Sequence, residues 1–236
     1  MRSVVAALLL TVLASPAWAD EVDAPELKPT DTWTYSETVE GVRGWHQTHV
    51  DITVLRTAKS YTVISFKEVG SPLAPTERMV GSDWSRMRSI NGKEQVYNKR
   101  FDFPMSVGKA WNVDYTEDSP NRQVKSQHVH LEYGVTGWEN VTVPAGTFKA
   151  MKIEADGQWT AEIAPAVTMA ARTDAAGAAM QTNTIAPKTV TGRLYKAYWY
   201  VPAVKRYVKA VEEVYNAGGT RTRRLTEEME KAKMAE

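Results

Sequence analysis

Between Lys125 and Val135 the chain alternates with a period of two. Val129, Leu131, Tyr133 and Val135 fall on one side, and His128, His130 and Glu132 on the other. Successive side chains of a strand point to opposite faces, so this pattern predicts a strand with one dry side. The alternation recurs in Val50, Ile52 and Val54 within Gly44–Arg56, and in Trp111, Val113 and Tyr115 within Lys109–Glu117. Met151, Ile153 and Ala155 repeat it within Phe148–Ala155. Segments rich in Val, Ile, Thr, Tyr and Trp predict further strands at Thr32–Glu40, Ser60–Glu68, Trp84–Ile90, Glu94–Phe101, Val190–Val201, Lys205–Tyr215 and Thr220–Glu227.

Turn signals separate these segments. Asn91-Gly92 and Asp156-Gly157 are dipeptides preferred by type I′ hairpin turns, whose two central residues need φ > 0. Glu117–Asn121, Pro144-Ala145-Gly146 and Gly218-Gly219 mark other reversals. Many short strands, hairpin turns and little helical periodicity predict an all-β antiparallel domain over 20–226. Because each strand has one dry face, the sheet must curl on itself or stack on a second one. A single strongly curved, half-barrel-like sheet is the expectation, with a β-sandwich as the alternative.

Two segments break the pattern. Ala161–Thr189 carries ten alanines and no sustained alternation. It reads as a flexible insertion, or as a flap over the dry face with Ala166–Ala171 as a short helix; loops of that length are uncommon unless functional or disordered. The final stretch, Glu227–Glu236, reads as a frayed C-terminal tail.

The N-terminus changes the setting. Arg2, the apolar run Val4–Leu13 and Ala17-Trp18-Ala19 have the form of a secretory signal cleaved after Ala19. The run is about ten residues, against roughly 20 for a spanning helix. The expectation is an exported, periplasmic protein of 217 residues beginning at Asp20. Its 28 basic and 28 acidic side chains balance, since Arg2 is the only charge removed. That balance argues against a nucleic-acid binder. Cysteine is absent, which excludes disulfides, thiol chemistry, iron–sulfur clusters and a lipid-modified N-terminal cysteine.

Three motifs then stand out: Phe103–Trp111 (FPMSVGKAW), Val141–Ala150 (VTVPAGTFKA), and Tyr198–Pro202 (YWYVP) followed by Val208-Lys209. Pro144 fixes φ and Gly146 tolerates φ > 0, so the chain should reverse between Val143 and Phe148. Pro202 cannot donate to a ladder, so the aromatic strand should end there or lie at an edge. The order and spacing of the three motifs resemble the exported bacterial β-proteins of the domain-of-unknown-function 3108-like group, over about residues 30–215. The resemblance implies a periplasmic, strongly curved antiparallel sheet and brings no catalytic residue with it. The insertion at 161–189 lies outside that pattern.

Candidate chemistry is sparse. His128, His130 and Glu132 share one face of a strand, and two of them could meet a metal with His49 or Asp51 from a neighbour. Same-face neighbours on one strand stand roughly 6.5–7 Å apart, too far to converge on one ion. A solvated face is the simpler reading, and no metal or cofactor is expected. The Arg221/Arg223/Arg224 cluster is read as a solvated terminus offset by Glu227, Glu228 and Glu230. No nucleophile elbow, zinc-protease or phosphate-loop motif occurs, so an enzyme is not expected.

Tryptophan and tyrosine, eight and ten, outnumber four phenylalanines. Such amphipathic rings suit partly wet pockets. Trp111, Tyr115, Tyr133, Met151 and Trp199 are therefore the candidates to line a ligand face. The expected function is non-catalytic binding of a hydrophobic ligand or cell-envelope component. The alternatives are an envelope scaffold for a partner protein and, more remotely, a metal-assisted hydrolase.

Overall fold

The structure, a computed structural model, describes residues 21–174 and 177–235. Its strands are β1 (Thr32–Gly41), β2 (Gly44–Thr57), β3 (Tyr61–Glu68), β4 (Thr76–Gly81), β5 (Arg86–Ile90), β6 (Lys93–Asn98) and β7 (Ala110–Asn121). They continue with β8 (Val124–Val143), β9 (Gly146–Ile163), β10 (Ala166–Asp174), β11 (Gly177–Ile185), β12 (Lys188–Val201), β13 (Arg206–Tyr215) and β14 (Arg221–Lys233). Ten form one antiparallel sheet in the order β4-β3-β2-β1-β14-β13-β12-β9-β8-β7, while β5–β6 and β10–β11 are separate hairpins. The sheet does not close, because β4 and β7 are not paired. One 3₁₀ turn at Pro202–Val204 is the only helical element among the described residues, and no described helix is long and apolar enough to cross a membrane. The expected all-β curved sheet is what the chain adopts; the β-sandwich is not.

The period-two segments fold as their pattern dictates. Val50, Ile52 and Val54 are buried, as are Val129, Leu131, Tyr133 and Val135, and Met151, Ile153 and Ala155. All belong to one continuous core on the inner face. Curvature brings distant strands together over that core. The Ala145 N–H, at the β8–β9 turn, donates to the Met229 carbonyl on β14 at 2.9 Å. Trp33 Nε1 on β1 donates to the Val204 carbonyl at 2.8 Å, and the Tyr35 hydroxyl to the Tyr207 carbonyl at 2.5 Å. Register shifts at Trp199/Tyr200 and Val135/Gly137 supply the local bending that bulges give a strand.

The β5–β6 hairpin spans the open side. Asn91 and Gly92 both have positive φ, 51° and 78°, as the type I′ turn requires. The Asn91 amide then docks on edge strand β7, donating to the Thr116 carbonyl at 3.0 Å and accepting from the Asp118 N–H at 2.9 Å. Arg88 pairs with Glu117 beside it. Ile90 is buried beneath the turn.

Several expectations need correction. Asp156-Gly157 is no turn: it lies within β9, where Gly157 is flanked by Leu131 and Leu194. A Cβ on Gly157 would stand 2.0 Å from the His130 carbonyl oxygen, so this glycine serves strand proximity. The reversal expected at Glu117–Asn121 falls at Arg122-Gln123, since Asn121 pairs with Val124. Among the described residues, Ala161–Thr189 is not irregular and holds no short helix. Strand β9 continues to Ile163, β12 starts at Lys188, and β10 pairs with β11 between them. Edge strand β4 was not expected because only Val80 is buried in it. Glu227–Glu236 is not a frayed tail: β14 runs to Lys233 beside β1, with Glu227 and Met229 buried. The proposed signal, 1–19, lies outside the described residues.

The two faces of β8 make a direct test of this architecture. Leu131→Ala should cost about 2–5 kcal/mol, because Leu131 is only 2 % exposed. His130→Ala on the outer face should stay within about 0.5 kcal/mol. Urea unfolding of the two variants checks the asymmetry; equal losses would mean that both faces are packed.

Candidate functional site

A groove of about 480 Å³ opens between strand β6 and the inner face of the sheet. Its walls are apolar: Tyr115 on β7, Val129 and Leu131 on β8, Trp159 on β9, Leu194 on β12 and Val214 on β13. Alternation aims these residues inward, and the β5–β6 hairpin brings Tyr97 and Asn98 over them. The charged lining is Lys196, Glu212, Glu213 and Arg223.

Glu212 lies at the centre of a buried polar network. Its Oε1 accepts from the Tyr198 hydroxyl at 2.7 Å and from Arg100 Nη2 at 3.2 Å. Its Oε2 faces Lys196 Nζ at 3.4 Å. Burial alone would raise the Glu212 pKa, but Lys196, Arg100 and the Tyr198 hydroxyl outweigh it and hold the carboxyl at about 2. Glu212 therefore carries no proton to donate near neutral pH, and both its oxygens are engaged.

The network runs on into the core. The Tyr207 hydroxyl accepts from Arg100 Nη1 and Arg206 Nη2, each at 3.2 Å, and donates to Glu227 Oε1 at 2.9 Å. The Arg206 guanidinium lies 4.3 Å from the Trp84 ring centre, a favourable cation–π placement for a buried arginine. Glu227 faces Glu37 across the β1–β14 ladder. Burial and then the Glu227 charge push the Glu37 carboxyl up to about 7.

Folding favours the protonated form of Glu37, so its contribution to stability is complete below its ordinary value of 4.5. That contribution is lost as pH rises through about 7. Glu37→Gln should flatten this decline, raising Tm at pH values above neutrality relative to wild type. Melting curves across the range check it, and parallel profiles for the two proteins would refute it.

The outer face of β8 carries the histidines. His130 Nδ1 lies 2.8 Å from Asp114 Oδ2 and His130 Nε2 lies 3.3 Å from Glu132 Oε1. His128 Nε2 lies 3.2 Å from the same Asp114 oxygen. The bond to Asp114, then that to Glu132, raises the His130 pKa. The neighbours weighed from the sequence are elsewhere: His49 pairs with Glu230 at 3.0 Å, and Asp51 takes the Thr34 hydroxyl at 2.7 Å. Asp114, which the one-strand reading missed, is the residue that meets both histidines. No group of three or more ligating side chains arranged for a metal ion is found among the described residues.

The arginine cluster is also not one solvated unit. Arg221 pairs with Glu40 and Glu213 at 2.8 and 3.0 Å, and Arg224 lies 3.6 Å from Glu213. Lys209 takes Glu228 at 2.7 Å instead. Arg223 alone turns to the groove.

Of the five aromatic and sulfur candidates, Tyr115 lines the groove. Trp111 and Tyr133 are stacked in the core, with ring centres 5.4 Å apart. Met151 is fully buried. Trp199 faces outward, with its indole N–H bonded to Glu139 and the Lys152 and Lys209 ammonium groups over its ring. Of the groove-lining aliphatics, Val129 and Leu131 were legible as dry-face positions and Leu194 and Val214 only as members of expected strands; none was legible as a ligand position.

No family model matches this chain, and no curated protein matches it. Two solved structures resemble this chain. One is a candidate lipoprotein from Parabacteroides distasonis, 14% identical, covering 91% of this chain and 100% of that one at a TM-score of 0.47. The other is a candidate exported protein with a YmcC-like fold from Bacteroides fragilis, 15% identical, covering 90% and 99% at a TM-score of 0.44.

Proposed function

We propose that the chain is a non-catalytic periplasmic binding protein that holds a hydrophobic or amphiphilic molecule in the groove under the β5–β6 hairpin. The observation that carries this reading is the groove itself. Its volume, about 480 Å³, falls in the range of small-ligand sites, which combine apolar walls with a few convergent polar groups. Export behind the segment 1–19 and kinship with the domain-of-unknown-function 3108-like group belong to the same proposal.

The test is binding of an environment-sensitive apolar dye to the purified protein, with Leu194→Glu as the probe variant. Leu194 is half-buried and lines the groove, so a carboxylate there should block an apolar ligand while leaving the deeper core in place. Saturable binding lost in Leu194→Glu, with an unchanged melting curve, is the expected result. Binding unaffected by Leu194→Glu would place the ligand elsewhere. A protein partner recovered at fixed stoichiometry with an empty groove would favour the scaffold reading instead.

A further inference from the structure

We infer that the groove selects an amphiphile with an anionic head, a carboxylate or a phosphate, seated between Lys196 and Arg223. This inference rests on the groove being the binding site and adds the chemistry of its polar end.

The charge pairing around the groove leaves cations over. Glu212 is shared by Arg100 and Lys196, and Glu213 by Arg221 and Arg224, which also reach Glu40. Arg223 lines the groove, is exposed, and has no carboxylate partner among the described residues. Both Glu212 oxygens are already taken, so an incoming donor finds no free acceptor there. Lys196 Nζ has three donors and a single carboxylate partner, at 3.4 Å.

Asn98 Oδ1 is one unpartnered acceptor in the lining, but the spare charged capacity, from Lys196 and Arg223, is donating and positive. An anion satisfies it, and charge-assisted bonds to a guanidinium or ammonium are the stronger kind. A neutral head would leave Arg223 unpaired, and a cationic head would face it directly.

The test compares four probes sharing one alkyl chain, each below its micelle concentration: dodecanoate, dodecyl phosphate, dodecyl maltoside and dodecyltrimethylammonium. Calorimetric titration of the wild-type protein should show the two anions binding roughly tenfold or more tighter than the maltoside, the gain expected of one charge-assisted contact. The cation should bind weakest. Arg223→Glu should draw the anion-to-maltoside ratio towards one or invert it, whereas Arg43→Glu, on the exposed β1–β2 turn, should keep the ratio. The order of dodecanoate and dodecyl phosphate tells a fatty-acid-like ligand from a phospholipid-like one.

Equal affinity for all four heads, or a preference for the cation, would overturn the anionic selection and leave the apolar groove standing. An anion preference that survives Arg223→Glu would overturn the assignment to Arg223. Failure of all four probes to bind would overturn the groove reading itself.

Discussion

Replacing Asp31 with alanine should lower the free energy of unfolding by about 3–5 kcal/mol, the scale of breaking a buried ion pair. Asp31 is 0 % exposed and ties three parts of the chain. Its carboxylate accepts from the Lys28 N–H at 2.9 Å and from the Ala235 N–H at 2.7 Å. It also receives Lys205 Nζ at 2.9 Å, from the loop after β12. Alanine leaves an ammonium and two amide donors without their acceptor, which costs more than the bonds themselves contributed. Urea unfolding measures the loss. Burial alone would raise the Asp31 pKa, but the Lys28, Lys205 and Ala235 bonds bring it below the usual value. The Asp31 contribution is therefore present above its unfolded pKa and disappears as pH falls through the lowered folded value. A loss under about 1 kcal/mol, typical of an exposed pair, would mean that Asp31 is not the tie described.

Glu212→Ala should cost a similar amount, about 3–5 kcal/mol, for a different reason. It strands Arg100 and Lys196, whose side chains are only 11 % and 15 % exposed. Because the Glu212 carboxyl is held at about 2 against an ordinary 4.5, its stabilisation is complete above about pH 4.5. It is lost as pH falls from there through about 2. This is the opposite sign to Glu37, whose contribution disappears as pH rises. Wild type and Glu212→Ala should converge in stability at strongly acidic pH, and a constant gap down to that range would contradict the assignment.

Local rules made most of the sheet legible. Val50, Ile52 and Val54, or Leu131 and Tyr133, advertise a dry face because strand periodicity and burial act on neighbouring residues. Asn91-Gly92 and Pro144–Gly146 announce turns because their backbone preferences are intrinsic. Asp156-Gly157 has the same local form yet sits mid-strand, since the approach of β8 decided that glycine's use. The candidate site was far less legible. Arg100 meets Glu212 across 112 positions of sequence, a pairing that only strand order creates. Arg221, Arg223 and Arg224 look alike in a sequence, and alternation alone would group Arg221 with Arg223; the register shift opposite Val214/Tyr215 instead sets Arg221 with Arg224 on Glu213 and leaves Arg223 to the groove. Asp31 gave no signal, because its partners come from both ends of the chain and a distant loop.

The inner groove, and not the histidine-bearing outer face, should receive the ligand. Methyl-selective NMR during a titration with dodecanoate tests it most directly. Saturable shifts are expected at the Val129, Leu131, Leu194 and Val214 methyls, while Val208, fully buried in the core, and Thr160 and Thr191, which line a hollow beside His128 and His130 on the outer face, stay in place. Shifts centred on Thr160 and Thr191, or no saturable shift at the four groove residues, would contradict it.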